Sequence, residues 1–238
     1  MPHNIDLILP CFNPPADFAG IVNFYFQNLK ACFPDRQINL YIVNDGSTIN
    51  FTNIQIQQLL SIQESVYIVS YLNNMGKGYA LRKAIGETHS PLVVYTDYDF
   101  PFHTGSIKLL IDELDKGADI VLASRNSEYL YLLPLVRRFY SLMSKNLNRL
   151  FLRVEFYDTQ GGLKGFNGKG KEIFMKTRIN EFLFDTEFIY LASKQKNISI
   201  VNIHGMIREG LRPSKIKIGV ITRELVNYFK ILRIKQIE

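Results

Sequence analysis

Five short apolar runs, each followed by a polar loop and then a helix-like stretch, constrain this chain more than any other feature. The runs lie at residues 5–9, 38–43, 66–70, 92–96 and 120–123. Between them, apolar residues recur at helical spacing over 18–32, 52–61, 78–88 and 106–116. Strand, helix, strand in steady alternation implies parallel pairing through right-handed crossovers, with helices on both faces of one sheet. Sheets of this kind bind ligands at the carboxyl ends of their strands. Function is therefore expected just past each apolar run.

Those positions are polar. Pro10-Cys11-Phe12-Asn13-Pro14-Pro15 follows the first run and Asn44-Asp45-Gly46-Ser47-Thr48 the second. Asn73-Asn74-Met75-Gly76-Lys77-Gly78 follows the third, Asp97-Tyr98-Asp99 the fourth and Ser124-Arg125-Asn126 the fifth. Beyond Asn126 the alternation stops. Residues 133–152 read as a long basic helix, 158–167 as a Gly-rich polar loop, 168–177 and 185–194 as helices, and 198–203 as a short strand. From residue 216 onward, Ile218, Ile221, Leu225, Phe229 and Leu232 mark one helical face. The expected organisation is one α/β domain over 1–215 with a basic amphipathic helix over 216–238.

A chain of 238 residues can bury a sizeable core in one such domain. Its formal charge of +6 favours anionic partners, whether nucleotides, phospholipid head groups or nucleic acid. No basic-aromatic strip or recognisable module supports nucleic acid, which is not expected as a partner. Cys11 and Cys32 read as buried thiols in a reducing compartment. No run approaches the ~20 apolar residues of a membrane-spanning helix. The expected location is cytoplasmic, with any membrane met peripherally at its inner face.

The Asp97-Tyr98-Asp99 triplet is the centre of the chemistry. Two carboxylates one residue apart cannot both enter a core, because desolvation is too costly. At a strand end they can converge on one Mg²⁺ or Mn²⁺, ions that take oxygen ligands and share them with substrate phosphates. Asp45 can accept from a base N–H, or it can serve the turn that Gly46 permits. Gly76-Lys77-Gly78 with Arg82 opens a helix and suits an anionic group, or is a plain turn. His204, after the last strand, is structural or completes a metal shell.

The ordered set of Pro10 with Asn13, Asn44-Asp45-Gly46-Ser47, Gly76-Lys77-Gly78, Asp97-x-Asp99, Ser124-Arg125-Asn126, Asp158-Thr159-Gln160-Gly161-Gly162-Leu163-Lys164 and Phe184-Asp185-Thr186-Glu187 resembles family 2 glycosyltransferases. Within them it resembles the subgroup that makes polyprenyl- or dolichyl-phosphate sugars. The resemblance implies a GT-A fold, a UDP- or GDP-sugar donor, a divalent metal and inversion at the anomeric carbon. It implies that Pro10, Asn13, Asp45, Lys77, Asp97 and Gln160 bind the donor and that Asp97 and Asp99 hold the metal. Arg138 and Ser141 would face the acceptor phosphate. Asp99, Asp185, Glu187 and Arg125 would carry the catalytic work. Asn44 and Pro14-Pro15 depart from the family's usual acidic residues.

The acceptor decides whether a base is needed. A phosphate is already ionised, whereas a sugar hydroxyl would need a carboxylate such as Asp185 or Glu187. Arg137, Arg138, Lys145, Arg149 and Arg153 favour an anionic acceptor, or form the solvated face of a helix. Arg208, Arg212, Lys215, Lys217, Arg223, Lys230, Arg233 and Lys235 suit a lipid head-group region, or surround a helix packed on the domain. Three functions follow: transfer to a polyprenyl phosphate, transfer to a glycan hydroxyl, or nucleotide-sugar binding without catalysis.

Overall fold

The computed structural model describes residues 3–125, 161–209, 227, 228, 230 and 231. Strand β1 (Ile5–Cys11) leads through α1 (Phe18–Ala31) to β2 (Ile38–Asp45). Then come α2 (Asn53–Leu60), β3 (Val66–Tyr71), α3 (Lys77–Gly86), β4 (Leu92–Tyr95), α4 (Thr104–Asp115) and β5 (Ile120–Arg125). After the segment that is not described follow β6 (Lys164–Phe166), α5 (Gly168–Phe174), α6 (Phe184–Ser193) and β7 (Ile200–Gly205). The strands form one seven-stranded sheet in the order β3-β2-β1-β4-β6-β5-β7.

Strand residues alternate between two cores, as the period of two requires. Ile5, Leu7, Leu9 and Cys11 join Phe18, Val22 and Phe26 of α1 and Ile107, Leu110 and Ile111 of α4 on one face. Ile8, Val93 and Tyr95 join Leu81 and Ile85 of α3 and Phe174, Phe184 and Phe188 of α5 and α6 on the other. The α/β sheet covered on both faces is the one expected, and its strands begin where the apolar runs begin or within two residues of them.

Strand β6 is not foreseen. It lies antiparallel between β4 and β5, inside the stretch read as a polar loop. Three residues with a central glycine carry no strand signal. Gly165 is there because α4 packs against it: a Cβ would sit 2.5 Å from a Leu110 methyl. Of the two cysteines expected to be buried, one differs from expectation. Cys11 is buried, and burial pushes its thiol up to about 12. Cys32 is exposed, because it caps the end of α1 instead of lying inside it.

The long basic helix expected at 133–152 and the segment 210–226 lie outside the described residues. Of the C-terminal stretch, Tyr228 and Ile231 are buried against the α3 side of the sheet, and Asn227 donates to Glu181 at 2.9 Å. These residues are docked on the domain, which is the packed-helix reading of that stretch. Among the described residues no helix is long and apolar enough to cross a membrane.

Candidate active site

The chain leaves β1 toward β2 and β3 on one side and places β4 on the other. The strand order switches between β1 and β4, and in sheets of this kind such a switch places the ligand crevice at the carboxyl ends of those two strands. Asp97-Tyr98-Asp99 stands there, two residues past the end of β4. Thr96 N–H still donates to the Ile8 carbonyl at 3.1 Å, so the acidic turn starts from a rigid base. The Tyr98 ring turns down onto Phe18, edge to face at 5.3 Å, while Asp97 keeps its side chain 40% exposed.

Among the described residues, Lys77 and Gly162 stand close to the Asp97 carboxylate. Lys77 Nζ lies 2.5 Å from its Oδ1. On another side stands Gly162, where a Cβ would fall 2.6 Å from Asp97 Oδ2. Gly162→Ala is therefore expected to displace the Asp97 carboxylate and to weaken about tenfold the uptake of a divalent ion such as Mn²⁺ at this turn, read by titration calorimetry. Unchanged affinity would mean that Asp97 moves aside freely.

The electrostatics suit a cation. Burial and the nearby Asp97 charge push the Asp99 carboxyl above the usual carboxylate range, while Arg208 and Lys77 pull it back. Burial alone would lower the Lys77 ammonium, but Asp97, Asp185 and Asp99 raise it overall. Two carboxylates repelling each other in a partly shielded crevice fit Mg²⁺ or Mn²⁺, which accept two protein oxygens and leave positions for phosphates and water. Among the described residues no group of three or more His, Cys, Asp or Glu gathers to hold a metal unaided. His204 is exposed on edge strand β7, in register with Ser124.

Asp45 takes up the structural alternative. Its oxygens receive the Asn74 amide at 2.8 Å, Met75 N–H at 2.7 Å and Gly76 N–H at 3.0 Å, and it is 4% exposed. The carboxylate folds the loop before α3 rather than standing open to a base. Gly46, at φ +67, lets the two loops touch, since a Cβ there would meet the Asn73 backbone at 2.4 Å. Asn13 is used similarly: at φ 49, its Oδ1 accepts Thr48 N–H at 2.8 Å and its own N–H donates to Ser47 at 2.9 Å. Pro10, buried near the end of β1, pairs with Val43.

The Gly76-Lys77-Gly78 helix start is already satisfied from within. Asp45 takes the Gly76 N–H, the Asn180 carbonyl takes that of Gly78 at 2.6 Å, and Asp97 takes the Lys77 ammonium. Arg82 does not face this mouth. Its guanidinium donates to Thr177, the Ile179 carbonyl and Asn180, and pins that loop to α3.

Asp185 and Glu187 open α6 but are buried, at 4% and 1% exposure. Asp185 accepts Tyr95 O–H at 2.5 Å and pairs with Lys164 at 2.8 Å, itself fully buried. Glu187 Oε2 accepts the N–H groups of Arg178 and Ile179 at 2.9 and 2.8 Å. Burial pushes the Glu187 carboxyl up, against the lowering effect of those donors. The carboxylates expected to flank an acceptor, Asp185 and Glu187, are thus both buried and hydrogen-bonded within the fold. Arg125 closes β5, half-buried. Gln160, Arg138 and Ser141 lie outside the described residues.

Two participants have roles that the sequence does not disclose. Gly162 belongs to the 158–164 motif, but nothing in the motif says that it backs Asp97. The sequence groups Arg208 with a basic segment suited to a lipid head-group region or to a helix packed on the domain. Instead its guanidinium turns inward onto the acidic turn.

Comparison with known proteins bears on the family and the fold. Residues 6–177 match the family described as glycosyl transferase family 2. A dolichyl-phosphate beta-glucosyltransferase of Saccharomyces cerevisiae is 24% identical over 212 residues, 81% of this chain and 63% of that protein. A bactoprenol glucosyl transferase of Shigella phage SfX is 31% identical over 127 residues, 51% of this chain and 39% of that one. The chain thus spans less than two thirds of either relative. In fold it is similar to the glucosyl-3-phosphoglycerate synthase of Mycobacterium tuberculosis, solved with Mn²⁺, UDP-glucose and phosphoglyceric acid. That TM-score is 0.66 at 16% identity, covering 97% of this chain and 80% of that one.

Proposed function

The chain belongs to glycosyl transferase family 2, and from that premise we propose that it moves a sugar from a UDP- or GDP-sugar to a polyprenyl-phosphate acceptor, inverting the anomeric carbon. The observation that carries the reading is the Asp97-Asp99 turn at the mouth between β1 and β4, flanked by Lys77. Asp97 and Asp99 would hold Mg²⁺ or Mn²⁺, which when bound neutralises charge on the departing diphosphate. The solved neighbour that carries Mn²⁺ beside UDP-glucose is consistent with this. Lys77 supplies a second cation, able to leave Asp97 for a phosphate oxygen. Pro10 and Asn13 bound the nucleoside side of the crevice, and Asp45 shapes it through the 74–76 loop.

The acceptor reading draws support from what Asp185 and Glu187 are doing. A hydroxyl acceptor needs a base within reach. Both carboxylates are buried and hydrogen-bonded to the fold. A phosphate acceptor needs none, and Arg125, with Arg138 and Ser141, would meet its charge. The dolichyl-phosphate and bactoprenol names of the relatives point the same way. Work at the inner face of a membrane, as a peripheral protein, follows from such an acceptor.

Titration with UDP and GDP, with and without Mn²⁺, tests the donor: metal-dependent binding of one of them is expected. Radiolabelled sugar incubated with protein, Mn²⁺ and polyprenyl phosphate in detergent is then expected to enter the solvent-extractable fraction. Label that stays wholly aqueous defeats the lipid acceptor, and its appearance on added glycan would favour the hydroxyl reading.

A further inference from the structure

The turn that carries the acidic pair is strained. Phe100 follows Asp99 at φ 45, a left-handed conformation that costs a bulky side chain free energy and persists only where its surroundings enforce it. Phe100 N–H closes the turn onto the Asp97 carbonyl at 2.9 Å, and its ring is buried, at 1% exposure. Something must hold this backbone, and Arg208 touches it at two points. Arg208 Nε donates to the Phe100 carbonyl at 2.6 Å and Nη2 donates to the Asp99 carbonyl.

The guanidinium is itself held in place. Nη1 donates to the Tyr25 hydroxyl, and the group lies 4.0 Å from the Tyr25 ring centroid, a ring stacked on Phe100 at 5.7 Å. The backbone around Arg208 is zipped to the same turn. Arg208 N–H donates to the Pro101 carbonyl and His103 N–H to that of Met206, each at 2.9 Å. Ile207 bridges Phe102 in antiparallel fashion. Arg208 is therefore a planar fork on a fixed mount, gripping the carbonyls on either side of the strained residue.

We propose that Arg208 is a positioning residue for the acidic pair, its fork holding the Asp99 and Phe100 carbonyls so that the Asp99 carboxylate stays beside Asp97. This rests on the reading of Asp97 and Asp99 as the metal-holding pair. The role belongs to shape, because charge acts the other way: a guanidinium near Asp99 opposes the arrival of a divalent cation. Removing it would strengthen metal binding if charge alone counted. A lysine keeps the charge but cannot bond two carbonyls with one rigid plane.

The test is Mn²⁺ binding in the presence of UDP, followed by loss of the free-ion paramagnetic resonance signal, for wild type, Arg208→Met and Arg208→Lys. Thermal melts of all three accompany it. Both substitutions are expected to weaken Mn²⁺ binding about tenfold, with the lysine failing to rescue. Tyr25→Phe, which removes only the anchor of Nη1, is expected to cause a smaller loss in the same direction and keeps the question open to measurement should Arg208→Met not fold. Binding within twofold of wild type in the variants, with lower melting temperatures alone, would overturn the proposal and leave Arg208 a stabilising residue. Rescue by lysine would overturn it as well. Wild type that takes up no Mn²⁺ would sink the metal reading first, an outcome visible without any variant.

Discussion

Asp99→Asn is expected to lower sugar transfer by at least about a thousandfold while the protein stays folded. Asn keeps the shape of the side chain and loses the charge that would attract a divalent ion, so the effect should fall on turnover and on metal-dependent UDP affinity together. Stability should move the other way. Burial and Asp97 raise the Asp99 carboxyl above its ordinary value. A raised acid adds stability only where it is protonated: the contribution is complete below the unfolded value and is lost as pH rises through the folded one. At neutral pH the ionised Asp99 is thus a cost. Metal-free Asp99→Asn should melt higher than wild type, by on the order of 2 °C, with the gap closing below about pH 4. Melts in EDTA across that range check it. Near-normal turnover would remove Asp99 from the site, and a lower melting temperature would mean that Arg208 and Lys77 outweigh the repulsion.

Breaking the Lys164–Asp185 pair is the largest stability effect expected. Both side chains are buried, at 1% and 6% exposure, 2.8 Å apart. Lys164 also donates to the Gly161 carbonyl and faces the Tyr95 ring at 5.7 Å. Removing one partner leaves the other charge in a medium that solvates it poorly, at a cost of about 3–5 kcal/mol. Lys164→Met and Asp185→Asn should each cost that much in urea unfolding. Together they should cost clearly less than the sum, because the second change removes the charge the first one orphaned. Losses below about 1 kcal/mol for the single variants would mean that water reaches the pair. The same Asp185→Asn protein separates two acceptor chemistries. If it still transfers sugar to a phosphate acceptor but no longer to a glycan hydroxyl, Asp185 is a base and a hydroxyl acceptor gains ground.

The pair bears on the site as well as on the fold. Lys164 begins β6, whose preceding Gly162 backs the Asp97 carboxylate. Asp185 also acts electrostatically on Lys77. Strand β6, α6 and the acidic turn therefore share one buried polar footing beneath the crevice.

Much of this was legible in the order of residues. Apolar runs at strand length, broken by helical spacing, require a parallel sheet covered on both faces, and that requirement is local and repeated. It also says where the carboxylates must be, because polar side chains are expelled at strand ends. The family likeness adds the expectation of a divalent metal and a nucleotide-sugar donor. Other features had no local signal. Three residues with a central glycine do not announce a strand, yet β6 forms because β4 and β5 leave unpaired backbone that it fills. Asp45 and Glu187 look like ligand-facing acids in sequence, but nearby N–H groups reach them first.

By itself, then, the sequence determined the sheet, the five polar loops at its edge and the acidic pair among them, since hydrophobic periodicity and desolvation act within a few neighbouring residues. Only the tertiary structure decided how each charge is employed. Lys77 rests on Asp97, 20 positions away, and Arg208 grips the Asp99 carbonyl from 109 positions away. Electrostatics and hydrogen bonding depend on distance in space, which the linear order of a chain does not contain.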